Sequence, residues 1–278
     1  MEKTFARFAA ASTLFFVLST ASAQDVKRSI TQVEGDVYRF QNQFHYSLVT
    51  VTTNGVVVVD PINTEAATWL KENLGQITDQ PITHLIYSHS HGDHASGGAA
   101  LGASTIHAQE NAPAMIDGVE PTMRVGAEET IEVGGKTFEL TFLGEGHGED
   151  MLAVIVRPEN VAFITDVASP KRLPFKTMSS SSVDAWIEQV KKVDTLDFEI
   201  FAPAHGNVGV KADTKDVITY METLRAEVLA GLKEGMSVEQ VQASITLDEY
   251  KDWGNFEAHR PLNIQGMAEY LVSAGKVN

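Results

Sequence analysis

Apolar residues along this chain recur with two different periods, and the switches between them predict the order of its elements. After a polar leader, Val37 to Phe40 and Tyr46 to Val51 are short apolar and β-branched runs, and Gly55 precedes the uninterrupted Val56-Val57-Val58-Val59. All three read as strands. Glu65 to Leu74 takes up helical spacing and stops at Gly75, and Ile82 to Tyr87 is again a strand that runs straight into a group of histidines. Farther on, Ala103 to Ala108 reads as a strand and Asn111 to Ile116 as a short helix. Two hairpins follow, Thr130 to Phe142 turning at Gly134-Gly135 and Leu152 to Thr165 turning near Pro158-Glu159-Asn160. The last third predicts a helix over Val183 to Val193, a strand over Phe198 to Ala202, and helices near Thr214 to Glu234, Ser237 to Ile245 and Leu262 to Ala274. The serine run before the first of these helices places Ser182 as its N-cap. Strands in both halves with helices between them imply an α/β fold of sheets covered by helices. No sequence repeat and no linker rich in Pro, Gly or Ser interrupts it.

The first residues follow a different pattern. Lys3 and Arg7 give a weakly basic start, Phe8 to Leu18 is apolar, and Ala21-Ser22-Ala23 is a small-residue cleavage site. The apolar run is about half the roughly 20 residues that span a bilayer, so residues 1–23 read as a cleaved export signal rather than an anchor. The expected product begins at Gln24, is periplasmic or secreted, and carries one domain over residues 24–278 with no attachment to a membrane.

Charge and cysteine content narrow the chemistry. A net charge of -16 argues against nucleic acid as a partner, because phosphate binding needs a basic face. It does not exclude an anionic small molecule, since a local cation or metal can reverse the field inside a cleft. With no cysteine, there are no disulfides, and a metal site must be built from nitrogen and oxygen ligands.

Such ligands are present. Of nine histidines, three fall within six residues, His89, His91 and His94, with Asp93 between them. Residues two apart on an extended segment face the same way, so His89 and His91 can grip one ion. Past Gly92 the backbone can turn Asp93 and His94 toward a second. Imidazole and carboxylate suit zinc at about 2.0 to 2.2 Å, and iron or manganese accept them too. His147 in Gly144-Glu145-Gly146-His147-Gly148, Asp166 after Phe163-Ile164-Thr165 and His205 in Pro203-Ala204-His205-Gly206 each follow an apolar strand beside turn-forming residues, as site-bearing loops do.

These residues resemble the metallo-β-lactamase superfamily, whose signature is a His-x-His-x-Asp-His run, a lone His, an Asp or Cys, and a final His. The resemblance covers roughly Val33 to Gly206. It implies a four-layer αβ/βα sandwich of two mixed β-sheets flanked by helices. It also implies that His89, His91 and His147 bind one ion, that Asp93, His94 and His205 bind another, and that Asp166 bridges them. Asp60, at the end of the valine strand, matches an early structural Asp that fixes loops by hydrogen bonds. Gly144 to Asp166 looks closest to β-lactamases with a cysteine ligand, but Asp166 stands in its place, as in the family's lactonases, thioester hydrolases and phosphodiesterases. The lysine expected three residues later is replaced by Ser169. Lys171 and Arg172 follow, either to bind a substrate carboxylate or as a solvated pair. The segment Gln41 to Tyr46 lies where related enzymes carry a mobile hairpin, and its Phe44 and Tyr46 read equally as lid or as core. His84, His107 and His259 match no family position and read as structural or exposed.

The implied activity is that of an exported, zinc-dependent metallo-hydrolase with two ions per chain, β-lactamase-like in fold. It would cleave an acyl C–O or C–N bond of a small lactone, ester or β-lactam-like substrate. The ions share a water that ionises near neutral pH, and Asp93 is the catalytic residue that orients it and passes a proton to the leaving group. Two alternatives stand beside it: a mononuclear iron sulfur dioxygenase, and a metal-binding accessory protein of a quinoprotein pathway.

Overall fold

The computed structural model describes Met1, residues 26–180 and residues 182–277. Apart from Met1, the expected export signal lies outside the described residues, as does Gln24. Among the described residues no helix is long and apolar enough to cross a membrane.

Thirteen strands form two sheets. The first runs β1 (Arg28–Glu34), β2 (Val37–Asn42), β3 (His45–Thr52), β4 (Gly55–Val59), β5 (Ile82–Ile86), β6 (Thr105–Gln109) and β7 (Met123–Val125) in sequence order. It is antiparallel up to β4 and parallel from there on. The second is ordered β13 (Gly209–Val210), β12 (Ile200–Pro203), β11 (Val161–Ile164), β10 (Leu152–Arg157), β9 (Lys136–Phe142), β8 (Glu128–Val133), with only β11 and β12 parallel. Helix α1 (Thr64–Asn73) and the single turns α2 (Gly92–Ala95) and α3 (Gly98–Leu101) cover the first sheet. The second is covered by α4 (Val183–Thr195), α5 (Asp213–Lys233), α6 (Val238–Ser244) and α7 (Phe256–Ser273). The result is the helix–sheet–sheet–helix sandwich that the resemblance implied.

The four-valine strand shows why the layers stack this way. Alternate side chains of a strand point to opposite faces. Val56 and Val58 pack on Ala66, Ala67 and Leu70 of α1, whereas Val57 and Val59 enter the space between the sheets with Leu48, Phe138, Leu140 and Phe163. In β10, Val154 and Val156 point between the sheets while Ala153 and Ile155 meet Trp186, Ile187 and Val190 of α4. A strand buried on both faces reads as a continuous apolar run, and each such side chain contributes on the order of 1.5–3 kcal/mol by burial.

Local capping agrees with the expected helix starts. Ser182 Oγ accepts from Ala185 N at 3.1 Å, and Asn63 Oδ1 accepts from Ala66 N at 2.9 Å. The structure differs at several places, among them the short strands β7 and β13, which no apolar period announced. Asn111 to Ile116 is irregular rather than helical, because Arg124 takes the carbonyls of Ala112, Pro113 and Ala114 at 2.9, 2.9 and 3.1 Å. The last helix begins at Phe256, six residues before its expected start, with Pro261 inside it. Pro261 supplies no backbone donor to the carbonyl one turn earlier, and its own carbonyl accepts from Gln242 Nε2 at 2.8 Å. The polar leader also contains a strand, β1, paired as an edge to β2.

His107 and His84 lie side by side on adjacent strands, ring centroids 6.0 Å apart and nearly parallel. Neither nitrogen of the buried His107 has a hydrogen-bond partner among the described residues, and burial holds its pKa down at about 4. The unfolded chain therefore binds a proton there that the folded chain refuses between about pH 4 and 6.5, and stability falls as pH falls through that window. Metal-free protein should lose thermal stability from pH 7 to pH 4.5, and His107→Leu should lose visibly less, measured by circular dichroism melting of both proteins in chelator.

Candidate metal centre

All the chemistry-bearing loops leave the same end of the two sheets. β5 runs out through Tyr87 and Ser88 to His89 and to His91, which has extended backbone and serves as N-cap of α2. His89 and His91 thus face the same space, with ring centroids 4.6 Å apart, and the helical turn swings Asp93 and His94 round beside them. His147 comes from the β9–β10 loop, Asp166 from the end of β11 and His205 from the end of β12. Asp166 adopts a positive φ of 56° that bends the chain sharply after the strand.

Asp60 holds these loops in register. It is fully buried at the end of β4. Its Oδ1 accepts from Ser88 N at 2.8 Å, and its Oδ2 accepts from Ser88 Oγ at 2.6 Å and from Thr165 Oγ1 at 3.2 Å. Ser88 Oγ, having donated to Asp60, can accept from His89 Nδ1 at 3.1 Å, which leaves His89 Nε2 as the bare lone pair facing inward. Burial raises the Asp60 carboxyl to about 6, against the pull of His94 and the Ser88 and Thr165 hydrogen bonds.

Asp166 lies between two groups of donors. Its Oδ2 is 3.3 Å from His94 Nε2, 3.4 Å from His147 Nε2 and 3.7 Å from His89 Nε2, and its Oδ1 is 3.1 Å from His205 Nε2. One set, His89, His91, His147 and Asp166, brings one donor atom from each residue to within 4.8 Å of the others. A second set does the same with His45, Asp93, His94 and His205. All seven residues expected from the sequence therefore meet in one place.

The donors present fit divalent ions. His89 Nε2, His94 Nδ1 and both ring nitrogens of His147 are buried with no hydrogen-bond partner among the described residues, a cost of about 1–3 kcal/mol each unless a ligand satisfies them. The Nε2 atoms of His94 and His205 face each other at 3.2 Å, close enough for one ring to donate to the other or for both to ligate a common cation. Burial pushes His89 well below the usual imidazole range and lowers His91, so both present neutral, ligating rings. Although burial pushes Asp166 up, the charge of His94 beside it is the largest opposing influence, and the carboxyl is held well below the usual range. Burial also opposes a charge on His94, but Asp166, Asp60 and Asp93 outweigh it and raise that ring to about 9.

Three contributions escaped the sequence reading. The first is His45, whose Nε2 lies 3.5 Å from Asp93 Oδ2. Its hairpin is a fastened wall, not a free lid. Tyr46 N donates to Ala204 O at 2.9 Å, His205 Nδ1 to Phe44 O at 2.8 Å, and Arg39, stacked 3.6 Å over the Tyr46 ring, to Pro203 O and Gly206 O at 2.6 and 3.0 Å. The other two are Trp186 and Gln189, one turn apart on α4. Gln189 Oε1 accepts from His147 N at 2.8 Å while its Nε2 donates to Gly144 O at 2.6 Å, and Trp186 Nε1 donates to Val167 O at 2.8 Å with its ring 4.7 Å from His147. Only glycine fits at 146, where a Cβ would lie 2.5 Å from Gln189 Oε1. A glutamine inside an apolar helix stripe was the available signal.

A cavity of about 550 Å³ opens above the donors, walled mainly by apolar side chains such as Phe44, Val167, Leu173, Phe175 and Trp186. Lys171 points to solvent, but Arg172 lines the cavity, its stem passing between Gly206 and Gly254. His259 is buried and lines the same cavity, with Nδ1 3.2 Å from Pro174 O. His84 is half-buried beside His107.

A family model described as the metallo-beta-lactamase superfamily matches residues 42–205. The chain is 26% identical over 184 residues to the 2,4-dinitroanisole O-demethylase subunit alpha of Nocardioides sp. (strain JS1661), covering 62% of this chain and 56% of that protein. The chain thus spans little more than half the length of this curated relative. Among solved structures it is similar in fold to a metallo-beta-lactamase from Pontibacter korlensis, with a TM-score of 0.60, 19% identity, and coverage of 70% of this chain and 99% of that one. It is also similar in fold to the stereoselective inverting sec-alkylsulfatase Pisa1 from Pseudomonas sp., with a TM-score of 0.68, 14% identity, and coverage of 89% and 50%.

Outer partners of metal ligands typically matter 10- to 100-fold in affinity. Gln189→Ala should therefore weaken metal retention by the His89, His91, His147 set by about tenfold. Competition against a chromogenic chelator measures this, with far-UV circular dichroism to verify folding.

Proposed function

We propose, from the premise that this chain belongs to the metallo-beta-lactamase superfamily, that it is an exported hydrolase using two metal ions, zinc by preference, to cleave an acyl C–O or C–N bond of a small substrate. The observation that carries this reading is the position of Asp166 between two converging sets of donors at the floor of an apolar cavity. His89, His91 and His147 would hold the first ion, Asp93, His94 and His205 the second, and Asp166 would bridge them. Ions so held supply a water of lowered pKa and polarise the substrate oxygen.

The protein's own groups do the rest. Asp93 is exposed, as is His91, and the His45 ring beside it, more than any other neighbour, holds its carboxyl well below the usual range. It stays ionised at neutral pH, as suits a group that orients a water by accepting its hydrogen bond. The apolar walls exclude bulk water and take up the body of the substrate. Arg172, which has no ion-pair partner among the described residues, can receive an anionic or strongly accepting substituent. The name of one similar protein, an O-demethylase subunit, concerns a C–O bond and supports C–O over C–N cleavage. Two donor sets favour two ions over a mononuclear iron dioxygenase, and the cavity favours turnover over a carrier of metal alone. Export to the periplasm or beyond is proposed from the pattern of residues 1–23.

The test is metal analysis of the purified protein combined with a panel of esters, lactones, β-lactams and phosphodiesters. About two ions per chain and hydrolysis that chelation abolishes and zinc restores are expected, with Asp93→Ala losing at least 100-fold in kcat, in the range that positioned groups contribute. Full activity after chelation, or in Asp93→Ala, overturns the reading. Separately, Arg172→Met should raise KM about tenfold for a carboxylate-bearing ester, as loss of a charged hydrogen bond implies, and leave KM for its neutral isostere nearly unchanged.

A further inference from the structure

We propose that His45 is an additional ligand of the second ion, joining Asp93, His94 and His205, so that with Asp166 this site offers five protein donors. The inference rests on the two-ion reading above and extends it to a residue outside the family's signature.

His45 is the first residue of β3, and its backbone pairs with Asn42 to close the β2–β3 hairpin. The fastening of that hairpin fixes two donors at once. Because a carbonyl oxygen only accepts, the 2.8 Å contact of His205 Nδ1 with Phe44 O makes Nδ1 the protonated nitrogen and turns the lone pair of Nε2 inward. The next residue in the turn is His45, whose ring lies 4.6 Å from that of His205 and 5.3 Å from that of His94, centroid to centroid. The same backbone segment therefore orients one expected ligand and delivers another imidazole to the same spot.

The donor spacings suit one ion. His45 Nε2 to Asp93 Oδ2 is 3.5 Å, Asp93 Oδ2 to His94 Nε2 is 3.6 Å, and His94 Nε2 to His205 Nε2 is 3.2 Å. Donors bound at about 2.0–2.2 Å around a common centre stand roughly 3 to 3.6 Å from one another. The 3.5 Å separation of His45 from Asp93 is, by contrast, long for a hydrogen bond. The two sites then differ in kind. His89, His91, His147 and Asp166 make a four-donor set suited to tetrahedral zinc, whereas three imidazoles and two carboxylates suit an ion of higher coordination.

Cobalt(II) titration of metal-free full-length protein tests this, read by visible absorption and by isothermal calorimetry. The wild type should take up two ions. In His45→Ala and in His45→Gln, which keeps the turn polar, the second ion should bind 10- to 100-fold more weakly. Its visible bands should intensify as its coordination number falls, with first-ion binding unchanged. Gln43→Asn in the same turn should alter neither. If both His45 variants keep the wild-type second-ion affinity and spectrum, the inference is overturned and His45 is left as a neighbour of Asp93. If the wild type takes up fewer than two ions, the two-ion reading falls, and the inference falls with it.

Discussion

A single buried carboxylate sets the geometry on which the rest of this molecule depends. Asp60 ends the valine strand with a positive φ of 64° and accepts from Ser88 N, Ser88 Oγ and Thr165 Oγ1. Through Ser88 it selects the tautomer of His89, Thr165 places it beside Asp166, and its Oδ2 lies 3.9 Å from His94 Nδ1. The two loops after β5 and β11, which carry five of the seven candidate ligands, are thus referred to one point. A buried charge is costly unless its lone pairs are satisfied, and here satisfying them and aligning the loops are the same act.

The layers around that point divide the work. The strands between the sheets supply rigidity, and the ligands emerge where β5, β11 and β12 end. Helix α4 then joins the His147 loop to the Asp166 turn through Gln189 and Trp186, so the spacing of two donors on different loops is set by one helix turn. The cavity is walled mostly by the same stretch that carries the ligands and draws on two later helices as well. Val217 of α5 and His259 of α7 lie beyond the residues matched by the family model, 42–205, and with Arg172 they shape the far wall.

The sequence by itself determined most of the element order and pointed to the seven candidate ligands, because strand runs and the histidine cluster are written in local spacing. Val56 to Val59 could be read as a strand covered on both faces, and His89, His91, Asp93 and His94 as ligands, from a few neighbouring residues. Asn111 to Ile116 departs from the expected helix because its carbonyls are taken by the Arg124 side chain, a contact that the apolar period does not encode. The places of His45 and Gln189 were decided by the tertiary structure alone, which also chose between the two readings of Arg172. A hairpin residue becomes a candidate ligand only when the turn is fastened to the His205 loop, a core-stripe glutamine becomes a clamp only when the His147 loop folds over it, and an arginine faces a cavity only when two glycines let its stem pass. Each depends on contacts across more than 30 residues of chain, which no local period encodes.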